Sequence, residues 1–244
     1  KNKTEVHITG KELGSILTTK EVKELYESGT PSENIKYILH TEPSLSRRDE
    51  NGSAKIPPLR WNDKKWVNDF IRMTIAISKR FKIPPAGIEI HPGGQNNTNQ
   101  DLIRSIMSIR AQFEKTFKIA PFVVVENRTG QFISNGQHIA DFWEKLLSTE
   151  RCMCDVVGVV LDIQQLYTAT KNDFLKQLKL IPHNSVRGLH IHCRHRTPSI
   201  ENKIPWKSVF SWVGKIKHEI FINPEVHHHS QVNETIFFCN KMMK

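Results

Sequence analysis

The sequence predicts an α/β fold, in which parallel β-strands alternate with crossover helices. Short apolar runs without polar alternation, typical of strands buried on both faces, recur about every 30 to 40 residues. Longer segments with apolar residues at helical spacing lie between them. A closed (β/α)8 barrel and an open doubly wound sheet both fit this succession. No GxGxxG or P-loop motif follows any strand, which excludes the usual nucleotide-binding form of the open sheet.

The predicted strands are runs rich in Val, Ile, Leu and Phe that end in polar or turn-forming residues. In chain order they are Val6–Thr9, Ile35–His40, Gly87–His91, Phe122–Glu126, Val156–Asp162, Gly188–His192 and Ile220–Glu225.

The predicted helices carry apolar residues three and four positions apart, as Trp66, Phe70, Met73 and Ile77 do in the second of them. No linker, low-complexity tract or charge block divides the chain, so we expect residues 1–244 to form a single domain. The helices are Thr18–Ser28, Asn62–Phe81, Asp101–Phe117, Gln137–Leu147, Lys171–Leu180, Trp206–His218 and Gln231–Met243.

Composition indicates a globular chain with a basic surface. Of the 244 residues, 38% are hydrophobic and 25% are charged, and the 35 Lys and Arg residues exceed the 25 Asp and Glu residues to give a net charge of +10. This excess suggests an anionic partner, such as a nucleic acid or a phosphorylated ligand, and a solvated basic surface is the alternative. The four cysteines form no CxxC pair, no apolar run approaches the ~18 residues of a membrane span, and no signal peptide is visible. We therefore expect a cytoplasmic protein.

Six consecutive predicted strands carry a histidine or a carboxylate near their C-terminal ends. In a closed barrel these side chains would converge on one pocket. Singly, each has an ordinary explanation, because a histidine is often solvated and an aspartate before a helix is often an N-cap. Together, three imidazoles and three carboxylates form a ligand set for zinc, manganese or iron, and two ions bridged by a carboxylate fit it better than one. The residues are His40, His91, Glu126, Asp162, His190 and Glu225.

Four stretches near the predicted strand ends are "HPGG" (His91–Gly94), "ENRTGQ" (Glu126–Gln131), "GVVLDIQQLY" (Gly158–Tyr167) and "LHIH" (Leu189–His192). These stretches resemble the endonuclease IV family, which lies within the xylose isomerase-like TIM barrels. The resemblance implies a TIM barrel in which Val6–Thr9 is the second strand, so we expect the first strand to lie upstream of the sequence or to be missing from it. Members of that family cleave DNA at abasic sites with a three-zinc cluster, and sugar isomerases and epimerases of the same superfamily use one divalent ion.

The resemblance also implies roles for the six ligand candidates. His40, His91 and Glu126 match the ligands of one zinc, and a second zinc shares Glu126. That second zinc adds the matching residues Asp162, His190 and Glu225. We therefore expect two divalent ions, zinc or manganese, with Glu126 as the catalytic residue that orients the nucleophile.

The third zinc site of the family is degraded in this sequence. Gln165 stands where one ligand histidine is expected, and the stretch Cys193–His195 replaces an Asp-x-His pair. Because a neutral amide is a poor zinc ligand, Gln165 and His195 form at most a weak third site.

Arginines near the predicted pocket are candidates for binding substrate phosphates. Arg47 and Arg48 lie in the long loop after His40, and Arg194 and Arg196 lie close to His190. For Arg47 and Arg48, the alternative is a charged loop exposed to solvent. For Arg194 and Arg196, the alternative is a structural role in ion pairs.

The expected function is metal-dependent hydrolysis of a phosphodiester in nucleic acid, related to DNA repair at abasic sites, with DNA or another phosphate-containing substrate as the partner. The alternative is isomerisation or epimerisation of a sugar or sugar phosphate. A non-catalytic nucleic-acid-binding barrel that keeps its metals for structure is a third hypothesis. The basic charge and the arginines favour the hydrolase, whereas the degraded third site favours the isomerase or a divergent nuclease.

Overall fold

The computed structural model describes residues 2–8, 18–25, 35–41, 47–48, 54–55 and 59–243. The chain divides into two compact units, 1–125 and 126–244. Among the described residues no helix is both long and apolar enough to cross a membrane.

The first unit is built on parallel strands that alternate with helices. Strand β1 pairs with β2, β2 with β5, and β5 with β6, all in parallel, while β3 and β4 form a short antiparallel pair. The strands are β1 (Asn2–Ile8), β2 (Ile35–Thr41), β3 (Arg47–Arg48), β4 (Ala54–Lys55), β5 (Gly87–Ile90) and β6 (Phe122–Glu126), and the helices are α1 (Thr19–Leu25), α2 (Lys64–Arg80) and α3 (Asn99–Phe117).

The two long helices of the first unit begin at side-chain caps. Asp63 accepts hydrogen bonds from the N–H groups of Lys65 and Trp66, and Thr98 accepts one from Asp101. These bonds satisfy N–H groups that lack partners within the helix. Apolar residues then recur on one face of each helix and pack into the core, among them Phe70 and Phe113, which are fully buried.

The second unit, which begins at the last residue of β6, repeats the alternation. Strand β7 pairs with β8 and β8 with β9, again in parallel, and the register places Asp162 beside His190 and His190 beside Asn223. The elements are α4 (Gly136–Thr149), β7 (Val157–Asp162), α5 (Ile163–Thr170), α6 (Phe174–Leu180), β8 (Val186–His190), α7 (Trp206–Val213), β9 (Phe221–Asn223) and α8 (Ser230–Met242), with short 3-10 turns at Arg151–Met153, Lys171–Asp173 and His183–Ser185.

The predicted α/β class is confirmed, and each predicted strand is present. Phe122–Glu126 has the predicted ends, and the ends of the other strands are shifted by a few residues. One helix was missed: α5 starts directly after β7, where Asp162 caps it by accepting from the N–H of Gln165. The predicted helix Lys171–Leu180 is correspondingly shorter, because its first residues form a 3-10 turn that ends α5. The predicted helix Trp206–His218 ends at Val213, before Gly214.

The loop predicted to carry the first arginine pair is described only in part. The backbones of Arg47 and Arg48 form β3, and their side chains lie outside the described part of the chain. Their predicted contact with phosphate stays a prediction.

Candidate metal centre

In the first unit, two of the predicted ligands lie together at the C-terminal ends of neighbouring strands. His40 and His91 are 2% and 1% exposed, and their rings stack at a centroid distance of 5.0 Å. Thr41 orients the second ring, since its Oγ1 lies 3.1 Å from His91 Nδ1 and also accepts from the His91 N–H at 3.1 Å.

The first unit also holds a buried carboxylate that sequence reasoning missed. Glu89 is fully buried, and the parallel register of β2 and β5 places it beside His40, with 3.7 Å between His40 Nε2 and Glu89 Oε1. The available signal was a charged residue inside the apolar run Gly87–Ile90, two positions before His91 and therefore on the same face of the strand. The interior of a buried strand is an expensive place for a carboxylate, so Glu89 belongs among the candidate ligands.

The second unit gathers the other four predicted ligands. Glu126, Asp162 and His190 are the last residues of β6, β7 and β8, and Glu225 lies two residues after β9. One ligand atom from each of the four lies within 4.8 Å of the others. We call these four residues the carboxylate cluster.

The carboxylate cluster is almost closed to solvent. Glu126, Asp162 and His190 are fully buried, and the side chain of Glu225 is 18% exposed. His190 Nδ1 lies 3.3 Å from Glu225 Oε2 and 3.8 Å from Glu126 Oε2. Burying three carboxylates together is costly by several kcal/mol, roughly, unless positive charge or hydrogen bonds offset it. The carboxylates of the cluster form ion pairs with His190 and His192. A mixed set of carboxylates and imidazoles fits a divalent cation such as zinc or manganese.

Glu225 is poised to stay ionised. Burial alone would raise its pKa, but the hydrogen bonds from His190 and His192 and the positive charge of His190 outweigh burial and hold the pKa below its ordinary value. The nearby Glu126 carboxylate acts in the opposite direction. The repulsion between Glu126 and Glu225 is what a bound cation would relieve.

Asp162 is fixed by its neighbours. Its backbone N–H donates to Asn127 Oδ1 at 2.9 Å, and Asn127 Nδ2 donates to the Asp162 carbonyl at 3.1 Å. Its side chain caps α5 through Oδ1, which accepts from the Gln165 N–H at 2.9 Å. The second oxygen, Oδ2, takes no part in the cap and lies 3.3 Å from His192 Nε2. Asp162 can therefore cap the helix with one oxygen and bind a metal with the other.

His192 is the second residue that sequence reasoning missed. It is fully buried, and its Nε2 lies 3.1 Å from Glu225 Oε2 as well as 3.3 Å from Asp162 Oδ2. Burial lowers the pKa of His192, but the hydrogen bonds and charges of the two carboxylates raise it to about 9. The signal was the alternation His190-Ile191-His192, which places both rings on one side of the extended chain.

The two residues of the predicted weak third site have different surroundings. The side-chain oxygen of Gln165 accepts from the N–H of Thr129 at 3.3 Å. His195 instead groups with His192 and Glu225, with 3.9 Å between His195 Nδ1 and Glu225 Oε1. Its ring stacks between those of His192 and His227, at centroid distances of 4.6 and 4.4 Å. Burial, ahead of the opposing Glu225 charge, lowers the pKa of His195.

The second arginine pair lines a basic pocket in the second unit. The segment Cys193–Arg196 forms a tight turn closed by two backbone hydrogen bonds, and Arg194 adopts a left-handed φ of 52°. The Arg194 N–H donates to Gln164 Oε1 at 3.2 Å, which ties the turn to α5. The pocket has a volume of about 630 Å³ and is lined by Gln164, Tyr167, Cys193, Arg194, Arg196, Glu201, Asn202, Lys203 and Ile204.

The sequence matches no protein-family model, and no curated protein matches it significantly. Solved structures do resemble the fold. An AP endonuclease of family 2 from Brucella melitensis aligns with a TM-score of 0.59 at 9% identity, covering 98% of each chain. A D-tagatose 3-epimerase-like protein aligns with a TM-score of 0.56 at 13% identity, covering 99% of this chain and 97% of its own. A xylose isomerase domain protein from Alicyclobacillus acidocaldarius aligns with a TM-score of 0.51 at 12% identity, covering 100% and 98%.

These similarities show the fold. The chain has a TIM-barrel fold, as its strand-end motifs predicted. In this fold the C-terminal ends of the strands carry the active site, and the carboxylate cluster occupies those ends in the second unit. At identities of 9 to 13% the likeness does not extend to an activity.

Proposed function

We propose that this protein is a metal-dependent enzyme that hydrolyses a phosphodiester in nucleic acid, with DNA containing abasic sites as the first substrate to test. The observation that carries the proposal is the carboxylate cluster, a buried set of three carboxylates and an imidazole at the C-terminal ends of parallel strands. The proposed cofactors are two divalent ions, zinc or manganese, for which Glu126, Asp162, His190 and Glu225 supply ligands. His40 and His91 are proposed as the remaining ligands.

The chain's own residues have distinct roles in this proposal. A divalent ion bound in the cluster would act as a Lewis acid on a phosphoryl oxygen. Glu126 is proposed to orient the attacking water and accept its proton, because it is a buried carboxylate at the end of β6. Asn127 holds Asp162 in place through two hydrogen bonds, so that the carboxylate needs little reorganisation on binding.

The basic pocket supports a phosphate-containing substrate. Arg194, Arg196 and Lys203 place three cationic side chains around one cavity. Guanidinium groups bind phosphate oxygens in bidentate fashion, and the net charge of +10 favours approach of a polyanion. The AP endonuclease with the same fold is consistent with this choice.

Epimerisation or isomerisation of a sugar is the second candidate function. Two glutamates, one aspartate and one histidine in the carboxylate cluster are sufficient ligands for a single divalent ion. The D-tagatose 3-epimerase-like structure shares the fold over nearly the whole chain. A small polar substrate would also fit a pocket of about 630 Å³.

The test compares the two reactions on one preparation. Protein loaded with zinc or manganese is incubated with duplex DNA that contains a single abasic site, with the intact duplex, and with a panel of ketoses and their phosphates. We expect strand cleavage at the abasic site and loss of cleavage in Glu126→Gln. Glu144→Gln, an exposed glutamate on α4, is the matched control and should cleave normally. Sugar conversion without cleavage would replace the hydrolase with the epimerase.

A further inference from the structure

Helix α8 carries an exposed phenylalanine on the surface of the second unit. Among the described residues, Phe237 is the most exposed large apolar side chain, at 72%, and Ile200, in the loop after β8, is 61% exposed. Single apolar side chains are common on protein surfaces, whereas neighbouring ones that line one groove are typical of a binding surface. The two residues are therefore examined by what lies between them.

Phe237 and Ile200 line the same groove, which lies between α8 and the loop segment 197–200 and has a volume of about 580 Å³. We call it the α8 groove. Its apolar lining comes from Pro198, Ile200, Phe237, Phe238 and Met242.

The α8 groove has fixed walls. Thr197 Oγ1 donates to Glu234 Oε2 at 2.9 Å, which ties the loop to the helix. Phe238 is buried and packs edge-on against Trp206 of α7, at a centroid distance of 5.6 Å. The groove is thus preformed, with an exposed aromatic ring beside it, and a preformed surface loses less conformational freedom on binding.

One negative and one positive side chain flank the apolar lining. Glu234 and Lys241 are both exposed and both line the α8 groove. They are seven residues apart, about 10 Å along the helix axis, and lie roughly one turn before and one turn after Phe237 on the same face. Along this face the order is therefore negative, aromatic, positive.

We propose that the α8 groove is the interface of a homodimer, in which α8 packs antiparallel against α8 of a second copy of this chain. A twofold rotation reverses the order of side chains along the helix. It places Glu234 opposite the partner's Lys241, and it brings Phe237 to the partner's groove. This inference is independent of the proposed enzymatic function.

The arrangement of charges favours a second copy over other partners. A nucleic acid would be repelled by Glu234, and a peptide of one charge sign would meet one like charge on the helix. A second copy in antiparallel orientation pairs both charges at once and supplies both an aromatic side chain and a groove. Because one helix and its adjoining loop make a small contact, we expect a reversible dimer whose population rises with protein concentration.

The first experiment tests the aromatic contact. Sedimentation equilibrium of the full chain, from about 1 µM to about 1 mM, measures the dimerisation constant of the unchanged protein and of Phe237→Ser. We expect Phe237→Ser to weaken the dimer at least about 10-fold, since a buried central aromatic residue commonly dominates an interface. Leu175→Ser, which removes a 42% exposed apolar side chain from α6, is the matched control and should dimerise normally.

The second experiment tests the antiparallel orientation by exchanging charges. Glu234→Lys and Lys241→Glu each place like charges opposite each other, and each should weaken the dimer roughly fivefold. An equal mixture of the two variants should recover the unchanged dimerisation constant, because both pairs in the mixed dimer again join a lysine to a glutamate. The mixed dimer also has the same total charge as two unchanged chains. Glu144→Lys, on the exposed face of α4, controls for net charge and should dimerise normally.

Three results would overturn the proposal: an unchanged protein that stays monomeric at every concentration, a dimer of equal strength in Phe237→Ser, or a mixture no stronger than its two components. Glu234→Lys also removes the hydrogen bond with Thr197, so circular dichroism checks its fold. If that variant does not fold, Phe237→Ser decides alone, since an undiminished dimer in it contradicts the proposal and a weakened one supports it.

Discussion

Glu126 shows how much a single buried side chain constrains the site. It ends the apolar strand Phe122–Glu126 and is fully buried, with His190 Nδ1 3.8 Å from its Oε2. Its charge acts against that of Glu225, since it raises the pKa of that carboxyl. Two ionised carboxylates in a buried cluster are tolerated when a cation joins them, which is the reason to expect a metal here.

Glu126→Gln should therefore have opposite effects with and without metal. In the metal-loaded protein we expect loss of at least one ion and nearly all activity, because a neutral amide is a poor ligand. In chelator the variant should unfold at higher urea concentration, with a free energy of unfolding raised by about 1 kcal/mol, since the repulsion of Glu225 is removed. Urea denaturation and elemental analysis measure the two effects. Two retained ions with full activity would show that the strand merely ends at this residue.

Thr41 gives a second prediction at the residue scale. Its hydroxyl accepts from the His91 N–H and bonds the His91 ring, and the side chain is fully buried. Thr41→Val keeps the shape but removes both bonds, so we expect a loss of about 1–3 kcal/mol in the free energy of unfolding. Thr41→Ser retains the hydroxyl and should lose less. Equal losses in the two variants would mean that packing, and not hydrogen bonding, explains the effect.

At the scale of the elements, β7 and α5 are joined by one residue with two functions. Asp162 ends the strand, caps the helix through Oδ1 and faces His192 through Oδ2. Helix α5 begins directly after the last residue of β7, because Asp162 is at once the end of the strand and the N-cap of the helix. A substitution can separate helix capping from metal binding at this residue. Capping needs only a hydrogen-bond acceptor, whereas metal binding needs a negative charge.

Asp162→Asn should keep the cap and lose the metal function. Asparagine is as good an N-cap as aspartate, so the free energy of unfolding in chelator should change little, whereas divalent-ion affinity should fall by at least about 10-fold. Asp162→Ala removes both functions and should also cost about 1 kcal/mol of stability. Urea denaturation and metal titration of the two variants give the comparison. If Asp162→Asn binds metal normally, Asp162 serves only as the cap.

For the whole molecule, the excess of positive charge is the property that bears most on the partner. The net charge is +10, and the pocket lined by Arg194 and Arg196 concentrates part of it beside the loop that follows β8. Binding to nucleic acid through such groups releases counterions and weakens as salt rises.

The double variant Arg194→Ala with Arg196→Ala should weaken binding to abasic-site DNA and flatten its salt dependence. Each lost phosphate contact reduces the slope of log K against log salt by about 0.9, so the pair should reduce it by roughly 2. The control is Lys176→Ala with Lys179→Ala on α6, which removes the same charge from an exposed helix. Fluorescence anisotropy at several salt concentrations measures both. Equal slopes in the two double variants would assign the effect to net charge and not to the pocket.

The fold and part of the site could be predicted from the sequence by itself. Strands buried on both faces give uninterrupted apolar runs, so Phe122–Glu126 was predicted with its observed ends. The positions of Glu126, Asp162, His190 and Glu225 near strand ends were equally readable, because the C-terminal ends of parallel strands meet on one face. These are local signals, carried by neighbouring residues.

The tertiary structure alone decided which side chains meet. Glu89 lies beside His40 because of the register between β2 and β5, whose residues are 49 positions apart at this pair (89 minus 40). His192 contacts both Asp162 and Glu225, which are distant from it in the sequence. His195 lies near Glu225, whereas Gln165 forms a hydrogen bond with Thr129. Strand register and loop conformation depend on packing of the whole chain, and no local pattern encodes them. The residue types predicted a metal centre, and only the folded chain showed which of the candidate side chains lie together.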